Sequence, residues 1–295
     1  MSQPSLPYVD RILNGLGDPE VATLFGRHLH WGYWADPNQA LLTPADFAAA
    51  AEALTQRICE AAGLADGQRI LDVGCGLGGT LMAINEQFQG VELVGLNIDP
   101  RQLAVARAQA VARPGNTIRF VEGDACEMPF PDGSFDRILA VECIFHFPSR
   151  TRFFSEARRL LRPAGRLALS DFVNTPALQA FTALDQQRAD LRASYGNTTV
   201  ISGAAYERLG EAAGLGRPTV DDITFHTLPT YRVLSRHPVL LPERVDQRIN
   251  QLLEWVTRLG LLRYRILSWR PQPSESGAPS LDPPDRTPAD SSRAA

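Results

Sequence analysis

Apolar positions in this chain follow two alternating periods. Short apolar runs cover residues 70–73, 91–98, 117–121, 135–141 and 166–171, each set off on at least one side by Gly, Asn or Ser. Between them apolar residues recur at helical spacing: Phe47, Ala51, Leu54 and Ile58, then Leu103 and Ala106, then Phe153, Phe154, Ala157, Leu160 and Leu161. The short runs predict buried strands and the wider patterns amphipathic helices. Punctuation agrees. Thr43, Pro44 and Asp46 open a helix that Gly63 stops. A helical pattern runs over residues 79–88, Asp99-Pro100 opens one to about Ala112, and Ser149 opens another that the Arg-Pro-Ala-Gly stretch at 162–165 ends. Strand–helix alternation predicts an α/β fold with right-handed crossovers.

Beyond Asp171 the pattern loosens. Helices are predicted over 177–192, 202–213 and 242–259, a loop at 194–199, and strands over 219–227 and 262–270. Segments 172–200 and 229–260 are too long for connections and too apolar for a linker, so they predict a cap over the site. Residues 271–295 are rich in Pro, Ser, Asp and Ala without an apolar face and predict disorder. The chain thus divides into an aromatic N-terminal arm (1–42), a ligand-binding core (43–171), cap segments with the remaining core strands (172–270) and a tail (271–295).

The candidate chemistry centres on residues 72–78, which read D-V-G-C-G-L-G between a strand and a helix. Glycine admits positive φ and close approach to the backbone, and the free N–H groups of the following helix favour an anionic or electron-rich group. Gly74, Gly76 and Gly79 also satisfy the dinucleotide fingerprint, with Asn97 and Asp99 roughly 20 residues on. Asp72 argues against that reading. A carboxylate at the lip of the turn repels a pyrophosphate and suits a cationic ligand.

Composition narrows the class. The 295 residues are 44% hydrophobic, enough for one large domain or a domain with a cap. The net charge of -4 has both signs interspersed, which offers no surface for nucleic acid or membrane. Cys59, Cys75, Cys126 and Cys143 form no C-x-x-C pair and no zinc-type spacing, so reduced thiols in a cytoplasmic protein are expected. The N-terminus lacks a basic and apolar leader, and no apolar run is long enough to span a bilayer. His28 and His30 lack metal-ligand company. Nothing in the sequence speaks to oligomeric state.

Residues 72–78 and four further segments carry a family resemblance. Asp72 to Gly78 resembles the D-x-G-x-G-x-G motif of class I S-adenosylmethionine-dependent methyltransferases, and residues 123–136 resemble their G-D-A…L-P-F-x-D-x-S-F-D segment. Residues 160–167 resemble their L-K-P-G-G-x-L segment, with Ala164 replacing a Gly. Gly95 to Gln102 is similar to the G-x-x-x-S-x-x-Q variant of the branch of sugar O-methyltransferases, tocopherol methyltransferases and cyclopropane fatty acid synthases, with Asp99 in place of the Ser. His30 to Trp34 also looks like that branch's H-x-G-Y-W lead-in. The resemblance spans about residues 28–175. It implies a Rossmann-like seven-stranded, mostly parallel sheet with helices on both faces, the last strand antiparallel.

It further implies S-adenosyl-L-methionine as cofactor and a small-molecule acceptor. Asp72, Gly74 and Gly76 then face the cationic methionine end, and Asn97 and Gln102 the ribose. Asp124 accepts from the adenine amine beside the Ala125 backbone, or caps its own turn. Glu142 fits cofactor contact better than base. Tyr33 and Trp34 pack on the cofactor by cation–π attraction, or anchor the arm, or do both. His146 and Asp171 match a His and an Asp of the sugar O-methyltransferases, which implies a general base and its orienting acid. The expected activity is methyl transfer to a hydroxyl of a natural product such as a sugar or polyketide. The alternatives are C- or N-methylation, a nicotinamide oxidoreductase, and a non-catalytic partner.

Overall fold

The computed structural model describes residues 6–181, 196, 198–237 and 240–272. Strands β1 (Arg69–Val73), β2 (Glu92–Asn97), β3 (Thr117–Glu122), β4 (Phe135–Val141) and β5 (Leu161–Asn174) are linked by α4 (Gly79–Gln87), α5 (Pro100–Gln109) and α6 (Arg150–Leu160). After these come α7 (Pro176–Phe181), β6 (Ile201–Ser202), α8 (Gly203–Ala212), β7 (Thr219–Asp222), α9 (Pro229–Ser235), α10 (Arg244–Arg258) and β8 (Leu262–Trp269). One sheet runs β3-β2-β1-β4-β5-β8-β7, with the two-residue β6 beside the end of β5. The strands from β3 to β5 are mutually parallel, and β8 is antiparallel to both β5 and β7. This is the expected Rossmann-like sheet, with β6 as an addition.

Side-chain alternation explains the two-sided core. Along β1, Leu71 and Val73 join one buried cluster with Phe153, Phe154, Leu160, Tyr206 and Trp269, while Ile70 joins another with Leu54, Ile58, Leu81, Ile84 and Tyr264. Successive strand residues point to opposite faces, so α6 and α8 cover one face and α3 (Pro44–Ala62) with α4 the other. Both faces being buried, these strands read as near-continuous apolar runs. The helix starts follow their capping residues: the side chains of Thr43, Asp99 and Ser149 accept from Asp46 N, Arg101 N and Arg152 N.

Several elements depart from the sequence reading. The arm holds two helices, α1 (Pro7–Gly15) and α2 (Pro19–Phe25), the second capped by Asp18. Residues 162–165 form an irregularity inside β5 rather than a turn ahead of it: pairing with β4 jumps from Phe135↔Leu161 to Arg137↔Arg166. Pro163 lacks the N–H a regular ladder needs, so the extra residues bulge out. The strand expected over 219–227 stops at Asp222, whose carboxylate accepts from Thr224 N and Oγ1 and turns the chain into a 3-10 segment, Thr224–Thr227. The helix expected over 177–192 is described only in its first turn, α7, and the expected tail lies outside the described residues but for 271 and 272. Among the described residues no helix is long and apolar enough to cross a membrane.

Candidate functional site

A cleft opens over the C-terminal ends of β1, β2, β3 and β4. Asp72, Gly74, Gly76, Asn97, Gln102, Asp124, Ala125, Glu142 and His146 all line it. The placement follows from topology, because the strand order reverses between β1 and β4 and crevices form at such switch points. Gly78, with φ of 84°, is the N-cap of α4 and offers no capping side chain to the first N–H groups of that helix, and the next two residues, Gly79 and Thr80, line the cleft.

The motif glycines serve different purposes. A Cβ on Gly74 would meet Cys143 Sγ at 2.8 Å, and one on Gly79 would meet the Arg27 carbonyl oxygen at 2.3 Å. Those two make room for the protein's own chain. A Cβ on Gly76, with φ of 54°, would meet nothing nearer than Leu29 Cδ1 at 3.4 Å, so the open face of Gly76 belongs to the cleft.

Asp72 is the most exceptional group. It is 1% exposed, and neither carboxylate oxygen has a hydrogen-bond partner among the described residues. Burial pushes its pKa up to about 8. An unpaired buried carboxylate carries a large desolvation penalty, which a cation brought into the cleft relieves. At the end of β2, Asn97 Nδ2 donates to Gln102 Oε1 at 3.2 Å, and Asn97 Oδ1 accepts from Asp99 N at 3.0 Å. Asp99 also caps α5 and binds Arg101 through both oxygens. Asp124 Oδ1 accepts from Cys126 N at 2.8 Å, as a turn aspartate does.

Glu142 follows β4 with φ of 50°, a left-handed conformation costing an ordinary residue about 1–2 kcal/mol. Its Oε2 accepts from Trp31 N at 2.9 Å and from the Tyr264 hydroxyl. Burial, opposed by those two hydrogen bonds and aided by Asp171, raises its pKa to about 8. The thiols of Cys75 and Cys143 at the rim are pushed well above their ordinary range, chiefly by burial and then by Asp72.

Three expectations need correction. Asp171 does not orient His146. It is fully buried, lines no part of the cleft, accepts from the Tyr206 hydroxyl and from Phe172 N, and has Arg150 Nη2 at 3.7 Å. Strand parity is the reason: Asp171 points the same way as Leu169 and Val173, into the layer of α6 and α8. Its pKa still rises to about 7, because burial outweighs Arg150 and the hydrogen bonds. Tyr33 and Trp34 also lie away from the cleft. Tyr33 stacks on His226 at 4.9 Å, and Trp34 is buried beside Phe47 with its indole N–H donating to Asp46 Oδ2 at 3.0 Å. They anchor the arm. Finally, none of the described residues among 229–260 lines this cleft, whereas Leu6, Tyr8, Val9 and residues 27–30 do.

Of these, Leu6, Tyr8 and Val9 were missed by sequence reasoning. A signal was present in Pro7 at a first helical position, with Val9, Ile12 and Leu16 at helical spacing. Within the arm, His30 Nδ1 lies 2.9 Å from the Trp31 carbonyl and Nε2 3.0 Å from Thr55 Oγ1. Burial and the neighbouring His28 lower its pKa to about 3, so it is a neutral structural ring.

The comparisons agree with this geometry. Residues 71–169 match the family model described as a methyltransferase domain. The chain is 33% identical over 249 residues to 27-O-demethylrifamycin SV methyltransferase of Amycolatopsis mediterranei (strain S699), covering 84% of this chain and 87% of that one. It is 34% identical over 235 residues to methyltransferase GfsG of Streptomyces halstedii, covering 78% and 81%. The fold is that of geranyl diphosphate C-methyltransferase from Streptomyces coelicolor A3(2), solved with S-adenosyl-L-homocysteine, at a TM-score of 0.68, 19% identity, and coverage of 92% of this chain and 100% of that one. By sheet, cleft and kinship, the chain belongs to the class I S-adenosylmethionine-dependent methyltransferases that act on small molecules.

Proposed function

We propose that this enzyme methylates a hydroxyl of a small natural product, with His146 as general base. The observation that carries the reading is that His146 lines the same cleft as the unpartnered Asp72 carboxylate. Kinship supports the oxygen acceptor and the compound class, since one relative takes its name from an O-demethyl rifamycin.

The residues fit S-adenosyl-L-methionine. Asp72 offers a buried carboxylate without a partner to its positive charge, and Gly76 offers a face on which a side chain would intrude. Asn97 and Gln102 offer polar groups to the ribose, Asp124 and the Ala125 backbone to the adenine, and Gly74 keeps the turn tight. Glu142 holds the arm over the site through the Trp31 amide. When bound, the cofactor supplies an electrophilic methyl on a cationic sulfur. The chain's task is then alignment of the nucleophile and removal of its proton. A neutral imidazole at physiological pH can take a hydroxyl proton.

The test is incubation with methyl-labelled S-adenosylmethionine and 27-O-demethylrifamycin SV or related demethylated polyketides and glycosides, followed by locating the label. An O-methyl product is expected, and label on carbon or nitrogen would overturn the O-acceptor. With an accepted substrate, His146→Ala should lose about 10²–10⁴-fold in kcat while keeping cofactor affinity. Full turnover in that variant would remove the base.

A further inference from the structure

Arg137, Arg166 and Arg270 form a cross-strand row at the rim of the sheet opposite the cleft. Arg137 of β4 pairs in register with Arg166 of β5. Leu167 of β5 pairs with Trp269 of β8, so Arg270 continues the row just past that antiparallel ladder. The cleft lies over the C-terminal ends of the parallel strands, whereas Arg137 is in the first half of β4 and Arg166 opens the regular part of β5. Strand parity puts the row on the face covered by α3. Arg137 precedes Leu139 by two residues, Arg166 precedes Ala168 by two and Arg270 follows Ile266 by four, and all three of those apolar residues belong to the cluster of Leu54, Ile58 and Ala62. The last turn of α3 holds two of the arginines. Arg137 Nε donates to the Gly63 carbonyl at 3.0 Å, and Arg166 Nη1 to that of Ala61 at 2.8 Å. A helix C-terminus carries only about half a negative charge, against three guanidiniums. Asp136, next to Arg137, is already engaged by Arg162 through both oxygens and by the Arg69 amide. None of the three arginines has an ion-pair partner among the described residues. Burial and then Arg166 pull the Arg137 pKa below its ordinary value against Asp136, and burial and then Arg270 do the same for Arg166.

We propose that this row is a binding site for a compact polyvalent oxyanion, a di- or triphosphate group, separate from the methyl-transfer cleft. Like charges facing each other across strands destabilise a sheet, and an anion between them removes the repulsion. With neighbouring strands about 4.8 Å apart, the row spans roughly 10 Å, which suits two or three linked phosphates better than one. Each guanidinium keeps N–H groups for the ligand. Arg137 has Nη2 left over, because Nε and Nη1 serve the Gly63 and Asp136 carbonyls, and Arg166 has Nε and Nη2. Guanidinium forks meet phosphate oxygens two at a time, which a lysine cannot do. Because the three positions are far apart in the chain, the even spread of charge along the sequence conceals the row.

The test is calorimetric titration of the whole protein with inorganic tripolyphosphate at fixed ionic strength, with sulfate as the single-anion control. Tripolyphosphate should bind at one site and raise the unfolding midpoint, because a ligand held by the folded state stabilises it. Sulfate should bind at least about tenfold more weakly, having fewer oxygens to share among the forks. Arg270→Gln leaves the α3 carbonyls capped by the other two arginines. It should weaken tripolyphosphate binding by about 10–100-fold, as losing a hydrogen bond to a charged group does. The ligand-free variant should keep or gain stability, since a like charge has gone. Arg166→Gln should show the same loss of affinity. Native tripolyphosphate affinity in both variants, or binding no tighter than that of sulfate, overturns the proposal. A lower unfolding midpoint of ligand-free Arg270→Gln would make the row a structural brace and overturn it too. S-adenosylmethionine affinity should be native in Arg270→Gln, and its loss would overturn the claim of a separate site.

Discussion

Asp72 and Gly76 carry the residue-scale chemistry of cofactor binding. Asp72 is protonated for part of the neutral range, since burial lifts its pKa to about 8, while a cationic ligand binds the ionised form. Affinity for S-adenosylmethionine should therefore increase with pH up to about 8 and then level off, with a proton released on binding below that point. Calorimetry in buffers of different ionisation enthalpy reads the proton directly, and pH-independent binding would refute the assignment. Asp72→Asn should abolish the linkage and weaken binding by on the order of 100-fold, as breaking a buried charge pair does. At Gly76 a branched side chain would enter the cleft at a positive φ. Gly76→Val should cost about 1–2 kcal/mol of stability from the backbone alone and lose measurable cofactor affinity while remaining folded. Native affinity in that variant would mean that the turn does not face the cofactor.

At the scale of elements, the end of β5 is bolted to two helices. Asp171 joins the strand to α6 through Arg150, beside the helix start, and to α8 through Tyr206. Removing one member leaves the others buried without compensation. Asp171→Ala should destabilise the protein by about 3–5 kcal/mol, read as a lower midpoint in urea with little change in slope. A variant of native stability that had lost turnover would restore Asp171 to the chemistry. Helices α1 and α2, together with α9, close around Trp34 and Phe47 in a third apolar cluster that includes Ile12, Leu24, Phe25 and Val233. The arm is thus a packed layer, with its inner edge at the cleft.

For the whole molecule, three buried acids set the pH dependence. Burial chiefly raises the pKa of Asp72 and of Glu142 to about 8 and that of Asp171 to about 7. A raised acid binds more protons folded than unfolded, so its contribution is fully present below the unfolded carboxylate value, about 4, and is lost as pH climbs through the folded value. From these groups, stability of the cofactor-free protein should fall between about pH 4 and 8. S-adenosylmethionine at about 100 times its Kd should restore roughly 2.7 kcal/mol. Thermal scans across that range with and without cofactor check both statements. Stability rising toward pH 8 without cofactor would show that other groups dominate.

The sequence by itself determined the alternation of strand and helix, and with it the sheet and the cleft. Asp72, Asn97, Asp124, Glu142 and His146 each sit at or just past the C-terminal end of a strand, so the parallel sheet brings them together without any further information. What only tertiary structure decided is which partner each side chain meets. His146 meets Tyr8, 138 residues away in the chain, because α1 packs across the sheet end. Asp171 meets Tyr206 and Arg150 because strand parity turns it toward α6 and α8, although it lies near the C-terminal end of β5, the strand beside β4, which His146 follows. Tyr33 and Trp34 stand close in sequence to residues that line the cleft, yet the apolar cluster around Phe47 and the ring of His226 draw them away from it. Local periodicity fixes where an element lies and which way its residues alternate. The choice of contact is made by packing between segments far apart in the chain, which no local pattern encodes.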